Sequence, residues 1–177
     1  NNTAIGILKD DGVNAFGYGG AMYVVNDVKS ASIILSFGDD TEFSYNSAVG
    51  LAQSDRSKED GYGGCIYFFN TGNLPPKNLG VTFGANLQFV GNEASSRGGV
   101  AFVESTSFTF SLVSGYNATF QGNQAHEGSV YYLTASLGAT IVSTVGANTK
   151  FSSNGDSGIR VSFSRSNGSL SFEENSY

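Results

Sequence analysis

Apolar and polar residues alternate with a period of two through much of the chain, in short runs broken by Gly, Asn and Asp. Before Phe89 the order is Leu87 inward, Gln88 outward, Phe89 inward, which is the pattern of a half-buried strand. The same phrase precedes Phe43 (Thr41, Glu42), Phe120 (Ala118, Thr119), Phe151 (Thr149, Lys150) and Phe172 (Leu170, Ser171). A second set of runs follows a glycine doublet: "GGAMYV" from Gly19 and Gly20, "GGCIYF" from Gly63 and Gly64, "GGVAFV" from Gly98 and Gly99. It decays to "GSVYYL" from Gly128 and "GIRVSF" from Gly158. Counting the first and third residues after the doublet as inward places Ala21/Tyr23, Cys65/Tyr67, Val100/Phe102, Val130/Tyr132 and Ile159/Val161 in a core. Tyr131 and Arg160 then point outward, where an unpaired guanidinium belongs. A third strand is predicted at 32–37, 79–83, 109–114 and 140–145, and no stretch keeps a helical period over two turns.

These strands belong to an internal repeat. F-x-x-N recurs as Phe43–Asn46, Phe89–Asn92, Phe120–Asn123, Phe151–Asn154 and Phe172–Asn175, with Phe spacings of 46, 31, 31 and 21. Ala48, Ala94 and Ala125 each follow the Asn by two, and the pairs Gly38/Asp40, Gly84/Asn86, Gly115/Asn117 and Gly146/Asn148 mark a second corner. Three short strands in a unit of about 31 residues predict an all-β, right-handed parallel β-helix (a β-solenoid) of five to six coils. Like residues of successive coils would stack about 4.8 Å apart, with Phe as an internal ladder and Asn as a corner ladder. Residues 1–177 read as a single domain, a mature or excised piece of a longer repeat protein, with corner insertions at 50–62 and 70–78.

The alternation of G-G-A-x and F-x-x-N tetrapeptides at this period resembles the polymorphic outer membrane proteins of chlamydiae. The likeness runs from Gly19 to Asn175 and is clearest from Phe89 to Tyr132. It implies a surface-exposed β-helical passenger associated with adhesion to host cells. Both tetrapeptides are implicated there, so Gly19, Gly20, Ala21, Phe89, Asn92, Phe120 and Asn123 are the positions it points to. Ser129 in place of a second Gly and the single Gly158 depart from the pattern.

Composition narrows the function classes. Gly supplies 24 of 177 residues, about twice the usual share of roughly 7%. A net charge of −6 offers nothing to offset phosphate repulsion, so no nucleic-acid partner is expected. No apolar run approaches the roughly 20 residues of a membrane-spanning helix. Cys65 stands alone and reads as a small buried apolar residue; Asn1, Asn117 and Asn167 open N-x-[ST] sequons. No cofactor is expected. Asp39–Asp40 reads as turn chemistry, His126 as a solvated corner, and Asp10/Asp11 or Asp55/Glu59/Asp60 fit no calcium loop pattern. Carbohydrate stacking on Tyr and Phe is set below core packing, because most aromatics fall at positions counted as inward. The expected function is therefore a non-enzymatic extracellular or cell-surface module. Its partner is a protein or glycan at that surface, or further copies of itself through exposed coil ends. The alternative is a polysaccharide lyase or hydrolase, which requires a surface groove carrying acidic and basic residues from adjacent coils.

Overall fold

A computed structural model of the chain describes residues 2–7, 16–26, 32–51, 60–70, 79–106, 109–136, 138–155, 158–164 and 167–172. All regular structure among them is β, and every pairing between strands is parallel. The first row of strands is β1 (Thr3–Ile7), β2 (Phe16–Tyr18), β3 (Met22–Asn26), β4 (Ile33–Phe37) and β5 (Glu42–Ser44). The second is β6 (Ser47–Leu51), β7 (Asp60–Tyr62), β8 (Ile66–Asn70), β9 (Leu79–Phe83) and β10 (Gln88–Val90). The third holds β11 (Glu93–Ala94), β12 (Ala101–Ser105), β13 (Thr109–Ser114) and β14 (Thr119–Gln121). Then come β15 (Tyr131–Ser136), β16 (Thr140–Val145) and β17 (Lys150–Ser152), and finally β18 (Ile159–Ser164) and β19 (Asn167–Phe172). Each strand pairs with its counterpart in the next row, giving five separate sheets whose strands lie in chain order.

The three expected strand classes form the sheets β5-β10-β14-β17, β3-β8-β12-β15-β18 and β4-β9-β13-β16-β19. Two further ladders, β1-β6-β11 and β2-β7, were not expected. The expected insertion at 50–62 begins and ends in strand, in β6 and β7; its residues 52–59, and residues 71–78 of the other insertion, lie outside the described residues.

Register explains the repeated phrase. Phe43, Phe89, Phe120 and Phe151 are direct partners along one sheet, and their rings stack at 5.2, 5.3 and 4.9 Å. Phe37 and Phe83 stack beside them and meet Phe43 and Phe89 edge-on. Leu87, Ala118 and Thr149 are buried before the Phe, while Glu42, Gln88 and Lys150 face solvent.

The corner Asn side chains form a polarised chain. Asn46 Nδ2 donates to Asn92 Oδ1 at 2.9 Å, Asn92 to Asn123 at 3.0 Å and Asn123 to Asn154 at 3.0 Å. The second amide proton goes back to the Phe carbonyl of the preceding row, from Asn92 to Phe43, Asn123 to Phe89 and Asn154 to Phe120. Each Oδ1 also accepts the backbone N–H of the preceding Asn. An interior amide such as that of Asn92 or Asn123 therefore satisfies its full capacity of two donors and two acceptor sites. Asn2 extends the ladder at its start by donating to Asn46 Oδ1, although it lies outside the F-x-x-N phrase. A second, exposed ladder links Asp40, Asn86 and Asn117 at the other corner, where all three adopt left-handed backbone.

The glycine doublet has two distinct jobs. Its first residue is left-handed at Gly19, Gly63, Gly98 and Gly128. Its second lies backbone against backbone: a Cβ on Gly64 would sit 2.3 Å from the Gly99 carbonyl oxygen. Ser129 takes this position where the next row presents Gly155, and its hydroxyl donates to the Gly155 carbonyl at 2.9 Å.

Two expectations are corrected. Phe172 does not extend the Phe ladder: it pairs with Val145 in the β16–β19 register, and Asn175 lies outside the described residues. A spacing of 21 residues is too short for a full row, so the chain has only reached the third sheet there. After the glycine doublet Cys65, Val100 and Val130 lie in the core as expected, and so do Ile159 and Val161 of the last row. In the rows from Gly19, Gly63, Gly98 and Gly128, however, the alternation beyond the first residue is off by one. Ala21 and Met22 both donate to the Cys65 carbonyl, Cys65 and Ile66 to Val100, and Val100 and Ala101 to Val130. Two consecutive N–H groups sharing one acceptor form a bulge, which adds a residue before the alternation starts. Inward are therefore Ile66/Phe68, Ala101/Val103 and Tyr131/Leu133, whereas Tyr23, Tyr67, Phe102 and Tyr132 turn out, on the side where Arg160 was expected and lies.

Candidate functional site

That one-residue shift creates an aromatic strip on the outer face of the sheet β3-β8-β12-β15-β18. Tyr23, Tyr67, Phe102 and Tyr132 occupy one register position in successive strands, with ring centroids 5.4, 5.3 and 5.4 Å apart. Interplanar angles of 22°, 2° and 5° make them a stack. Arg160 follows Tyr132 in the same register.

A second column stands beside the first. Tyr18 pairs with Tyr62 in β2–β7, and isolated bridges continue it to Arg97 and then Glu127. Tyr18 packs 4.6 Å from Tyr67, and Tyr62 packs 5.0 Å from Phe102. On the other side Phe69 lies 6.1 Å from Tyr67, with Glu104 next to it in register. Tyr67, Phe102 and Tyr132 are only 6, 4 and 8% exposed because neighbours cover their ring faces, whereas Tyr23 at the end of the stack is 55% exposed. The result is a groove of about 300 Å³ lined by four tyrosines, Phe69, Phe102, Arg97 and Glu104.

Charge is concentrated at one end of the groove. Arg97 Nε donates to Glu127 Oε2 at 2.9 Å, and Arg160 donates to Glu127 Oε1 at 3.0 Å, so two guanidinium groups share one carboxylate. The Arg97 guanidinium also lies 5.1 Å from the Tyr132 ring centroid and 6.0 Å from that of Tyr62, within cation–π range. Half-burial raises the Glu104 carboxyl above its ordinary range, against the opposing pull of Arg97. Burial likewise raises the Tyr67 phenol, so Tyr67 keeps a neutral hydroxyl that can donate and accept.

The remaining candidates fall elsewhere. The Asn and Gly repeat residues are backbone fixtures: Asn92 and Asn123 are fully buried, and Gly20, Gly64 and Gly99 are closed off by neighbouring backbone. Asn117 is exposed, with its amide donating to Asn86. Asn167 sits in β19, its side chain outside the described residues, as is Asn1. Asp39 and Asp40 both accept corner hydrogen bonds, from Ala85 N–H and Asn86 Nδ2. His126 is an exposed corner residue beside Glu93, Ser95 and Gln124. Asp10, Asp11, Asp55 and Glu59 lie outside the described residues, and among those described no three His, Cys, Asp or Glu converge as a metal site. No helix among them is long and apolar enough to cross a membrane.

Cys65 is fully buried in the core, and burial pushes its thiol pKa well up, so no thiolate is presented to solvent. A disulfide reagent added to the native protein is expected to leave Cys65 unmodified, with full reaction only after unfolding in denaturant. Stoichiometric native labelling would contradict the core placement.

No family model, curated protein or solved structure matches the chain.

Proposed function

We propose that the chain winds as a right-handed parallel β-helix of five to six coils and serves as a non-enzymatic extracellular or cell-surface module. On this reading the aromatic–arginine face engages a glycan on a partner surface. Support for the winding comes from like residues standing side by side in all five sheets, in chain order. The adhesive role fits the resemblance of the G-G-A-x and F-x-x-N tetrapeptides to chlamydial surface passengers. Asn117, with its sequon at an exposed turn, is compatible with an extracellular setting.

The observation that carries the binding site is the groove beside Arg97. A saccharide presents hydroxyls that both donate and accept, together with apolar C–H faces. Tyr hydroxyls, Arg97 and Glu104 supply partners of both kinds along an aromatic floor. The test is binding of the labelled protein to an array of acidic and neutral glycans, comparing wild type with Arg97→Gln and Tyr62→Ala. Loss of one charge-assisted hydrogen bond is worth about 1.5–3 kcal/mol, so Arg97→Gln is expected to weaken binding about tenfold or more. Unchanged binding by both variants would remove this face from the account.

One observation favours a second reading. Arg97, Glu104, Glu127 and Arg160 come from adjacent rows onto one face, which is the arrangement a polysaccharide-active enzyme requires. Against it, both carboxylate oxygens of Glu127 are already taken by Arg97 and Arg160. Release of reducing ends or unsaturated uronates from a polysaccharide panel would establish this alternative.

A further inference from the structure

Two guanidinium groups against one carboxylate leave one positive charge over at the Arg97 end of the groove. That surplus stands on a chain whose net charge is −6. Register places the outer-face residues in rows: Tyr62, Tyr67 and Phe69 in the second, Arg97, Phe102 and Glu104 in the third, Glu127, Tyr132 and Thr134 in the fourth. Arg97 and Glu104 therefore flank the Phe102 ring, with a described row on either side of them.

Most of the donors of Arg97 are unspent. A guanidinium carries five N–H groups. Nε–H goes to Glu127 Oε2, the one side-chain hydrogen bond Arg97 makes among the described residues. Arg160 holds the other oxygen of that carboxylate, so Glu127 has none to offer the remaining four. The guanidinium is nevertheless held in place, 5.1 Å from the Tyr132 centroid and 6.0 Å from that of Tyr62, and its side chain is 40% exposed. It thus presents a positioned pair of Nη groups to the groove, the fork that meets an oxyanion with two parallel hydrogen bonds.

The rings favour the same charge. Tyr67, Phe102 and Tyr132 stack face to face at 2° and 5°, so their edges line the groove. An aromatic edge is the positive part of the ring and attracts an anion rather than a cation. On the far side of Phe102 the polarity reverses. The Glu104 carboxyl lines the groove without a hydrogen bond among the described residues, as an acceptor for hydroxyls.

We infer that the groove takes an acidic saccharide unit bearing one monovalent oxyanion, a uronate carboxylate or a sulfate ester. The oxyanion sits on the Arg97 Nη groups and the sugar hydroxyls turn to Glu104. A single surplus charge matches a single negative group, and the one ring spans from donor fork to acceptor. This inference rests on the reading of the groove as a glycan site and names the class of glycan.

The experiment is calorimetric titration of the chain with two matched pairs. One is a hyaluronan oligosaccharide and its carboxyl-reduced form; the other is a sulfated galactan oligosaccharide and its desulfated form. The charged member of at least one pair is expected to bind about tenfold tighter or more, and that pair identifies the oxyanion. Arg97→Gln should bring the preference to within about twofold, and Arg97→Lys, which keeps the charge without the fork, should retain about two- to threefold. Lys150→Gln removes an exposed cation from another sheet and should leave the preference unchanged. Glu104→Gln should weaken charged and uncharged forms by the same factor, because the hydroxyls are common to both. Equal binding within both pairs, or a preference that survives Arg97→Gln, would overturn the inference. If that equal binding is lost in Tyr62→Ala, the groove stays a glycan site of another class. No binding of any saccharide by the wild type would end both readings.

Discussion

Replacing Asn123 by Ala is expected to lower the unfolding free energy by about 4 kcal/mol, read as a shift in urea midpoint at constant slope. The substitution strips partners from three groups. Asn92 loses the acceptor for both its backbone N–H and its side-chain amide, and the Phe89 carbonyl loses its donor. Asn92, Asn123 and Phe89 are fully buried, and each unmet buried group costs about 1–3 kcal/mol. Against a total stability on the order of 5–15 kcal/mol, that is a large fraction. Asn117→Gly is the internal control. Asn117 is an exposed ladder residue whose left-handed backbone Gly accepts readily, so the change should stay within about 0.5 kcal/mol. Equal losses for the two variants would mean that the buried corner ladder contributes nothing special.

Gly64→Ala is expected to prevent accumulation of folded protein. Its Cβ would fall 2.3 Å from the Gly99 oxygen and 2.4 Å from the Glu93 oxygen, both backbone atoms locked in neighbouring rows. Relief requires prising rows apart, so the cost is expected to exceed the usual overpacking range of about 1–3 kcal/mol and to approach the total stability of about 5–15 kcal/mol. Gly122→Ala separates this effect from backbone strain. Gly122 is left-handed, but its Cβ would meet nothing closer than the Gly91 nitrogen at 3.9 Å. That variant should fold with a loss of about 1–2 kcal/mol. The measurement is the soluble yield and thermal midpoint of each; a Gly64→Ala protein as stable as Gly122→Ala would show that the rows are not in close contact.

The sequence makes the corner and the Phe ladder legible because both rely on chemistry with few substitutes. Only an aromatic fills the Phe89–Phe120 column, and only an amide can donate and accept at once as Asn92 does. The phase of the strand after the glycine doublet is not legible in the same way. "CIYF" is apolar at every position, so a slip of one residue leaves the hydrophobic pattern intact, and the bulge that causes the slip is a hydrogen-bonding feature with no letter of its own. The aromatic strip is hidden by that slip. Its signal lies in the last row, where Arg160, Val161 and Ser162 alternate cleanly; aligning Arg160 with Tyr132 instead of Tyr131 gives the right phase. Arg97 and Glu127 are further from reach, since nothing in a corner segment announces that a register bridge will join them. The two minor sheets escape notice for a related reason: β11 is two residues long, and its only trace in the letters is the buried Ala48 and Ala94.

Row-on-row stacking is tested most directly by disulfide pairing along one outer column, in a Cys65→Ala background. Gln88, Thr119 and Lys150 are successive register partners, so adjacent Cα atoms stand about 4.8 Å apart, inside the range of roughly 4.4–6.8 Å that a disulfide spans. Cysteines at 88 and 119, or at 119 and 150, are expected to oxidise quantitatively within one chain. Cysteines at 88 and 150, two rows apart, should stay reduced. Free thiols in both adjacent pairs, or ready closure of the 88–150 pair, would contradict the stacked arrangement.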